Sequence, residues 1–171
     1  MIKKPIIFSS NIHKDHRGHF TETYVKKNKI FKNLKFVQDN MSYSKKGVLR
    51  GLHYQLNKPQ TKFLTVIHGD IFDVVLDLRK KSKNFGKTFY FNMSAKNNNQ
   101  LLIPIGFAHG FQCVSKTAIV YYKCDDYYYE NDQHGIRYDD LSLGIKWPIP
   151  KKIISKKDRA LSTFDPSLKY F

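Results

Sequence analysis

The stretch Phe63-Leu64-Thr65-Val66-Ile67-His68-Gly69-Asp70-Ile71-Phe72-Asp73-Val74-Val75-Leu76-Asp77-Leu78 decides the architecture. Two apolar runs rich in β-branched and aromatic residues flank the turn His68-Gly69-Asp70. Each run is too short for a helix and has the composition of a strand. In the second run, two inner aspartates alternate with apolar residues toward its end. The same pattern repeats outward. Ser82 to Gly86 reads as a turn, Thr88 to Met93 alternates polar and apolar residues, and Lys96-Asn97-Asn98-Asn99 breaks the chain again. Leu101–Ile105, Gly110–Val114 and Ile119–Lys123 continue the series, which begins near Leu49. Short strands at near-regular spacing, punctuated by Gly, Asn and Pro, predict an all-β sandwich or barrel.

The flanks differ. Val25 to Phe36 has room for a short helix, and the polar, basic tail after Trp147-Pro148 predicts short helical turns wrapped over the barrel. There is no internal repeat and no long low-complexity linker, so residues 1–171 are expected to form one domain of a size that can bury a core.

Composition narrows the function. With 41% hydrophobic and 15% aromatic residues, the chain is too apolar to be disordered. Thirty Lys and Arg against fourteen Asp and Glu give a net charge of +16, which attracts polyanions. The basic residues are mostly lysines scattered in pairs (Lys26-Lys27, Lys45-Lys46, Lys80-Lys81, Lys151-Lys152, Lys156-Lys157). No helix-turn-helix, zinc-finger or RNA-recognition signature accompanies them, so nucleic acid is not the expected partner. A diphosphate-bearing small molecule would gain from the same field. No apolar run approaches a membrane span, and the N-terminus lacks a secretory h-region, which predicts a cytoplasmic protein. If Ser115 to Ala118 is a hairpin turn, Cys113 lies opposite Val120 and Cys124 near the strand's far end. That geometry is poor for a disulfide, so both cysteines are expected as buried free thiols.

Three segments place titratable residues amid apolar strand: Gln38-Asp39-Asn40 with Leu49-Arg50-Gly51-Leu52-His53-Tyr54-Gln55, then Ile103-Pro104-Ile105-Gly106-Phe107-Ala108-His109-Gly110-Phe111, then Tyr121-Tyr122-Lys123 with Tyr127-Tyr128-Tyr129. The spacing Pro104-x-Gly106-x-x-His109 resembles the second motif of cupins, small jelly-roll barrels. Metal-binding cupins carry His-x-His in their first motif. Here His53 is followed at that spacing by Gln55, a poor ligand for a transition metal, so no metal is expected.

The segments together resemble the dTDP-4-dehydrorhamnose 3,5-epimerase family over nearly the whole chain. The shared motifs, in order, begin with Arg17-Gly18-x-Phe20-x-Glu22-x-Tyr24, Gln38-Asp39-Asn40-x-Ser42, Leu49 to Gln55, and Gln60-x-Lys62. They continue with Asp77-Leu78-Arg79, Phe85-Gly86, Gly106 to Phe111, Gly144-Ile145-x-Trp147-Pro148 and Ser155-x-Lys157-Asp158. The resemblance implies a cupin jelly roll with short peripheral helices that epimerises C3, C5 or both of a nucleoside-diphosphate 4-keto-6-deoxy sugar, without a cofactor. It implies His53 as general base, Asp158 as its orienting partner, Tyr122 as the acid on the opposite face, and Lys62 near the keto oxygen. Arg17, Glu22, Gln38, Asn40, Arg50, His109 and Tyr128 match substrate-binding positions, with His109 supporting rather than abstracting. It further implies a homodimer exchanging N-terminal strands, so that Arg17 acts in a neighbouring subunit's site. Such sugars feed capsule and lipopolysaccharide synthesis.

The chemistry needs these residue types. The C4 carbonyl acidifies the hydrogens at C3 and C5 by delocalising charge as an enolate. Histidine is the base closest to neutral pH, and inversion requires an acid on the other face of the ring. Two departures, Phe63-Leu64-Thr65 after the lysine and the missing proline after the tyrosines, leave the nucleotide open among dTDP, GDP and CDP, and the sugar between hexose and heptose. A single-centre epimerase or a 3,4-ketoisomerase of the same family is the near alternative. A non-catalytic, basic nucleic-acid-binding β-barrel is the distant one.

Overall fold

The structure, a computed structural model, describes residues 2–171. Twelve strands appear among them. The first five are β1 (Ile6–Ser9), β2 (Ile12–Asp15), β3 (Gly18–Thr21), β4 (Gln38–Lys45) and β5 (Leu49–Gln55). Then come β6 (Lys62–His68), β7 (Asp70–Asp77), β8 (Thr88–Ser94) and β9 (Asn99–Ile103). The last are β10 (Phe107–Cys113), β11 (Thr117–Cys124) and β12 (Gln133–Gly135). Two five-stranded antiparallel sheets face each other, one in the order β1-β9-β6-β11-β4 and the other β12-β5-β10-β7-β8. This is the expected jelly roll. The peripheral helices are 3-10 turns at Lys29–Phe31, Glu130–Asp132 and Leu141–Leu143, plus the four-residue α1 (Lys156–Arg159). No helix among the described residues is long and apolar enough to cross a membrane.

Three clusters account for the packing. Between the sheets, Leu64, Val66, Leu101, Ile103 and Val120 meet Ile71, Val75, Met93, Phe107 and Phe111. The second sheet is also covered on its outer face, where Leu52, Val74, Leu76 and Ala108 pack under Trp147, Tyr170 and Ile136. Because both faces of β7 are covered, nearly every side chain on it is buried, Asp73 and Asp77 completely. That is the physical meaning of its near-continuous apolar run. A third, aromatic cluster of Phe31 and Phe63 with Phe8, Tyr24 and Phe36 covers the outer face of β6 and β9.

Two expectations are corrected. Gly110–Val114 and Ile119–Lys123 do not form a hairpin. β10 pairs with β5 and β7, whereas β11 pairs with β4 and β6, so the intervening turn carries the chain from one sheet to the other. Cys113 therefore faces Ile71, and Val120 faces Ser42 and Val66. Both thiols are nonetheless free and buried. The strand expected over Gly110–Val114 runs instead over Phe107–Cys113, so His109 lies within β10. Gly110 is glycine because a Cβ there would stand 2.5 Å from Arg50 O, and at Gly51 (φ +112°) it would stand 2.5 Å from Gly110 Cα. The two glycines let β5 and β10 touch, which makes His53 and His109 register partners.

The segment before β12 hangs on Asp132. Its carboxylate accepts the backbone N–H groups of Asn57 (3.0 Å) and Lys58 (2.7 Å) and the Asn57 amide (2.8 Å). Burial pushes this carboxyl up, but the Asn57 and Lys58 donors outweigh it and hold it below its ordinary value. A depressed folded pKa gives stability that is complete above the unfolded value and lost as pH falls through the folded one. Asp132→Asn is therefore expected to cost about 1–3 kcal/mol near neutral pH, because an amide donor would face the same donors. Its melting temperature should begin to converge on that of the wild type as pH falls below about 4, the ordinary carboxylate value, and meet it only below the depressed folded value, where the native carboxylate also protonates. Thermal melts across pH check this.

Candidate active site

Alternation along the strands aims one set of polar residues inward. β4 contributes Gln38, Asn40 and Ser42, β5 His53 and Gln55, β6 Lys62, β10 His109, and β11 Tyr122. They line a two-lobed opening in the barrel. The larger lobe, about 490 Å³, is bounded by Ser42, Arg50, His53, Lys62, His109, Tyr122, Ser155 and Asp158, among others. The smaller, about 270 Å³, takes in Gln38, Asn40, Gln55, Gln60, Tyr128 and Gln133. His53, Lys62 and Tyr122 belong to both lobes and form the waist between them.

His53 Nε2 lies 2.7 Å from Asp158 Oδ1, and Asp158 Oδ2 accepts the Gly51 N–H at 3.3 Å. Asp158 is set by α1, whose N-cap Ser155 accepts the Asp158 N–H through its hydroxyl (3.0 Å). Burial pushes the Asp158 carboxyl up, but the His53 hydrogen bond and charge, aided by Gly51, outweigh it and hold it below the usual carboxylate range. An ionised Asp158 can only accept. Nε2 therefore carries the proton, and Nδ1 keeps its lone pair for a substrate proton.

Across the barrel, burial pushes the Tyr122 hydroxyl up, with a further push from Cys124 and a smaller opposing pull from Arg50. The phenol is thus a neutral donor at pH 7. The Lys62 ammonium is pushed down by burial, against the pull of Cys124 and Asp73. Burial also lifts the Cys124 thiol to about 11, so it is no nucleophile at neutral pH. Arg50 donates from Nε to Ser44 Oγ (3.1 Å) and from Nη2 to Tyr43 O (3.0 Å), tying β4 to β5 beside the cavity.

Nine of the eleven positions singled out from sequence meet at this opening: His53, Tyr122, Asp158, Lys62, Gln38, Asn40, Arg50, His109 and Tyr128. Two do not. Arg17 sits in the exposed β2–β3 turn, paired with Asp15 at 2.6 Å, and Glu22 lines a separate depression with Tyr24 and Asn28. Within this chain neither residue reaches His53's cavity.

Sequence reasoning missed the partner of His109. Asp73, wholly buried on β7, accepts from or shares a proton with His109 Nε2 at 2.8 Å, and its other oxygen has no hydrogen-bond partner in the structure. The signal was present: an aspartate between Phe72 and Val74 in a buried strand has to be paired. Gln55, at the second-imidazole position of a metal cupin, is turned to other use. Its amide bonds the Lys58 and Tyr127 carbonyls and the Tyr129 N–H. No group of three or more His, Cys, Asp or Glu side chains among the described residues is arranged to hold a metal ion.

A jelly-roll barrel whose interior holds an Asp-backed histidine, a neutral tyrosine and a lysine has the parts of an acid–base isomerase of the cupin type. The family model described as dTDP-4-dehydrorhamnose 3,5-epimerase matches residues 1–166. The dTDP-4-dehydrorhamnose 3,5-epimerase of Methanothermobacter thermautotrophicus is 45% identical over 161 residues, covering 90% of this chain and 86% of that one. Among solved structures, dTDP-6-deoxy-D-glucose-3,5-epimerase from Legionella pneumophila, in complex with dTDP-4-keto-L-rhamnose, is 41% identical with a TM-score of 0.91, covering 95% of this chain and 88% of that one. The 3'-monoepimerase of Streptomyces bikiniensis, in complex with dTDP-quinovose, is 28% identical with a TM-score of 0.88 over 95% and 84%. The chain belongs to the dTDP-4-dehydrorhamnose 3,5-epimerase family.

Proposed function

We propose that the protein epimerises a dTDP-linked 4-keto-6-deoxy hexose at C3 and C5. The observation that carries this is the 2.7 Å His53–Asp158 pair in a cavity whose opposite wall presents Tyr122. His53 Nδ1 takes the proton next to the keto group, and the electron pair moves onto the C4 oxygen. Lys62 supports the resulting enolate oxygen, a kind of contact worth about 3–4 kcal/mol at preorganised sites. Tyr122 returns a proton to the other face, and solvent restores both groups. The sugar lies at the waist of the cavity, with the diphosphate and base toward Gln38, Asn40 and Tyr128 of the smaller lobe, while Arg50 borders the larger one. The reaction is an isomerisation with no net change in atoms or electrons, and these residues account for each proton transfer.

A homodimer is part of this reading. Met41 and Tyr43 on the outward face of β4 are 69% and 55% exposed, and Ile67, across β11 on β6 of the same sheet, is 53% exposed, an apolar face of the kind a second copy covers. A second copy is also what would bring Arg17 and Glu22 to a site they do not reach in their own chain.

Asp158→Asn is expected to lower kcat by about a hundredfold or more, because the amide can donate to Nε2 and force the wrong tautomer, while KM changes little. Conversion of dTDP-, GDP- and CDP-linked 4-keto-6-deoxyglucose, followed by proton NMR, tests the substrate. The dTDP sugar should turn over fastest, and a preference for GDP or CDP would contradict the proposal. A one-centre reaction, as in the Streptomyces bikiniensis relative, would appear as inversion at C3 alone.

A further inference from the structure

The loop after β11 is held in an unusual way. Three consecutive backbone N–H groups go to side chains and none to a strand ladder: Tyr127 to Asp126 Oδ1 (2.7 Å), Tyr128 to Gln38 Oε1 (2.9 Å) and Tyr129 to Gln55 Oε1 (2.8 Å). Gln55 also donates to Tyr127 O (3.1 Å) and Lys58 O (2.7 Å), so both its donors and its acceptor are engaged. Gln55 is 5% exposed and stands on β5, while Gln38 stands on β4 of the opposing sheet. The two amides grip the loop from opposite walls of the barrel. The three tyrosines meanwhile are 56%, 48% and 39% exposed, and Tyr128 borders the smaller lobe. A loop outside any ladder takes its position from whatever satisfies its backbone groups. Here that is chiefly Gln55, the one side chain bonded to both ends of the tyrosine triplet.

We infer that Gln55 is a positioning residue: through the Tyr127–Tyr129 backbone it fixes the Tyr128 ring as a wall of the smaller lobe, and so sets substrate affinity while leaving the proton transfers at the waist untouched. This also explains the residue type. An imidazole two positions after His53 could not donate to two carbonyls and accept an N–H at once, whereas a carboxamide does all three. The inference rests on the proposed reading, in which the nucleotide end of the substrate occupies this lobe.

The test is steady-state kinetics of the full chain on dTDP-4-keto-6-deoxyglucose, comparing wild type with Gln55→Leu and Gln55→Glu. Gln55→Leu should raise KM about tenfold with kcat within about twofold, the size of effect that losing one or two buried hydrogen bonds produces. Gln55→Glu supplies a readout that a purely structural role would not move. As a carboxylate it still accepts from Tyr129 but meets two carbonyls with no donor, and protonation restores one donor. Burial opposite two carbonyls raises such a carboxyl above its ordinary value of about 4.3, so its KM relative to wild type should fall as pH is lowered from about 8 to about 5. Should Gln55→Leu not fold, Gln55→Glu carries the test alone. KM values within twofold of wild type at every pH, or a loss confined to kcat, would overturn the inference. A wild-type chain that fails to convert the sugar would instead overturn the proposed function, and the Gln55 role with it.

Discussion

His53→Ala is expected to lower kcat by about a thousandfold or more, with KM within a fewfold of wild type, the magnitude typical of removing a positioned general base. The reasoning is local. His53 is the imidazole at the waist of the cavity whose Nε2 proton is fixed by a carboxylate, so its Nδ1 lone pair is available without a tautomeric shift. His109 cannot take over. It is backed by Asp73 much as His53 is by Asp158, but it borders the larger lobe and not the smaller, so it stands away from the waist where the sugar reacts. Asp158 is a weaker base still, because a carboxylate's ordinary value lies well below that of an imidazole. Steady-state turnover of the dTDP sugar, with thermal melts to confirm folding, measures the loss.

Tyr122→Phe should separate two events that His53→Ala abolishes together. Proton removal and return on the His53 face need no tyrosine, so hydrogen exchange with solvent should continue within about tenfold of the wild-type rate. Inversion needs a donor on the opposite face, and its rate should fall by about a hundredfold or more. Burial keeps the wild-type phenol protonated, so it is a donor throughout the neutral range. The ring packs against the core between the sheets, and phenylalanine preserves that contact while deleting only the hydroxyl. Product formation and solvent deuterium uptake, followed in one sample, give both rates. Loss of exchange in proportion to inversion would mean that Tyr122, not His53, removes the proton.

How far the sequence could be read depended on which forces each residue answers to. The strands from Leu49 to Lys123 were legible because hydrophobic alternation records which face is buried. The crossing at Ser115 was not, because a turn between partners in one sheet and a turn between sheets use the same small, polar residues. The role of Gly110 was hidden for a related reason. It was read as the first residue of a strand, yet it serves a close backbone approach inside one, which depends on Arg50 and Gly51 nearly sixty residues away. His53, Lys62, Tyr122 and Asp158 came from family motifs rather than from periodicity, and the fold brings them to one cavity from both sheets and α1. Asp73 was legible in principle as an aspartate in an apolar strand, but its partner was not. Arg17 and Glu22 matched their motifs yet lie away from the cavity of their own chain. The clasp by Gln55 could not be read at all, since nothing local to Gln55 shows that it meets Tyr127 and Tyr129 more than seventy residues on.

The acid–base reading is tested most directly by proton NMR in deuterium oxide, with wild type and His53→Ala added to dTDP-4-keto-6-deoxyglucose. The expected result is deuterium at C3 and C5 with the wild type and at neither carbon with the variant over the same period. A folded wild-type chain that leaves both carbons protiated, or a His53→Ala chain that exchanges them as fast as wild type, would contradict it.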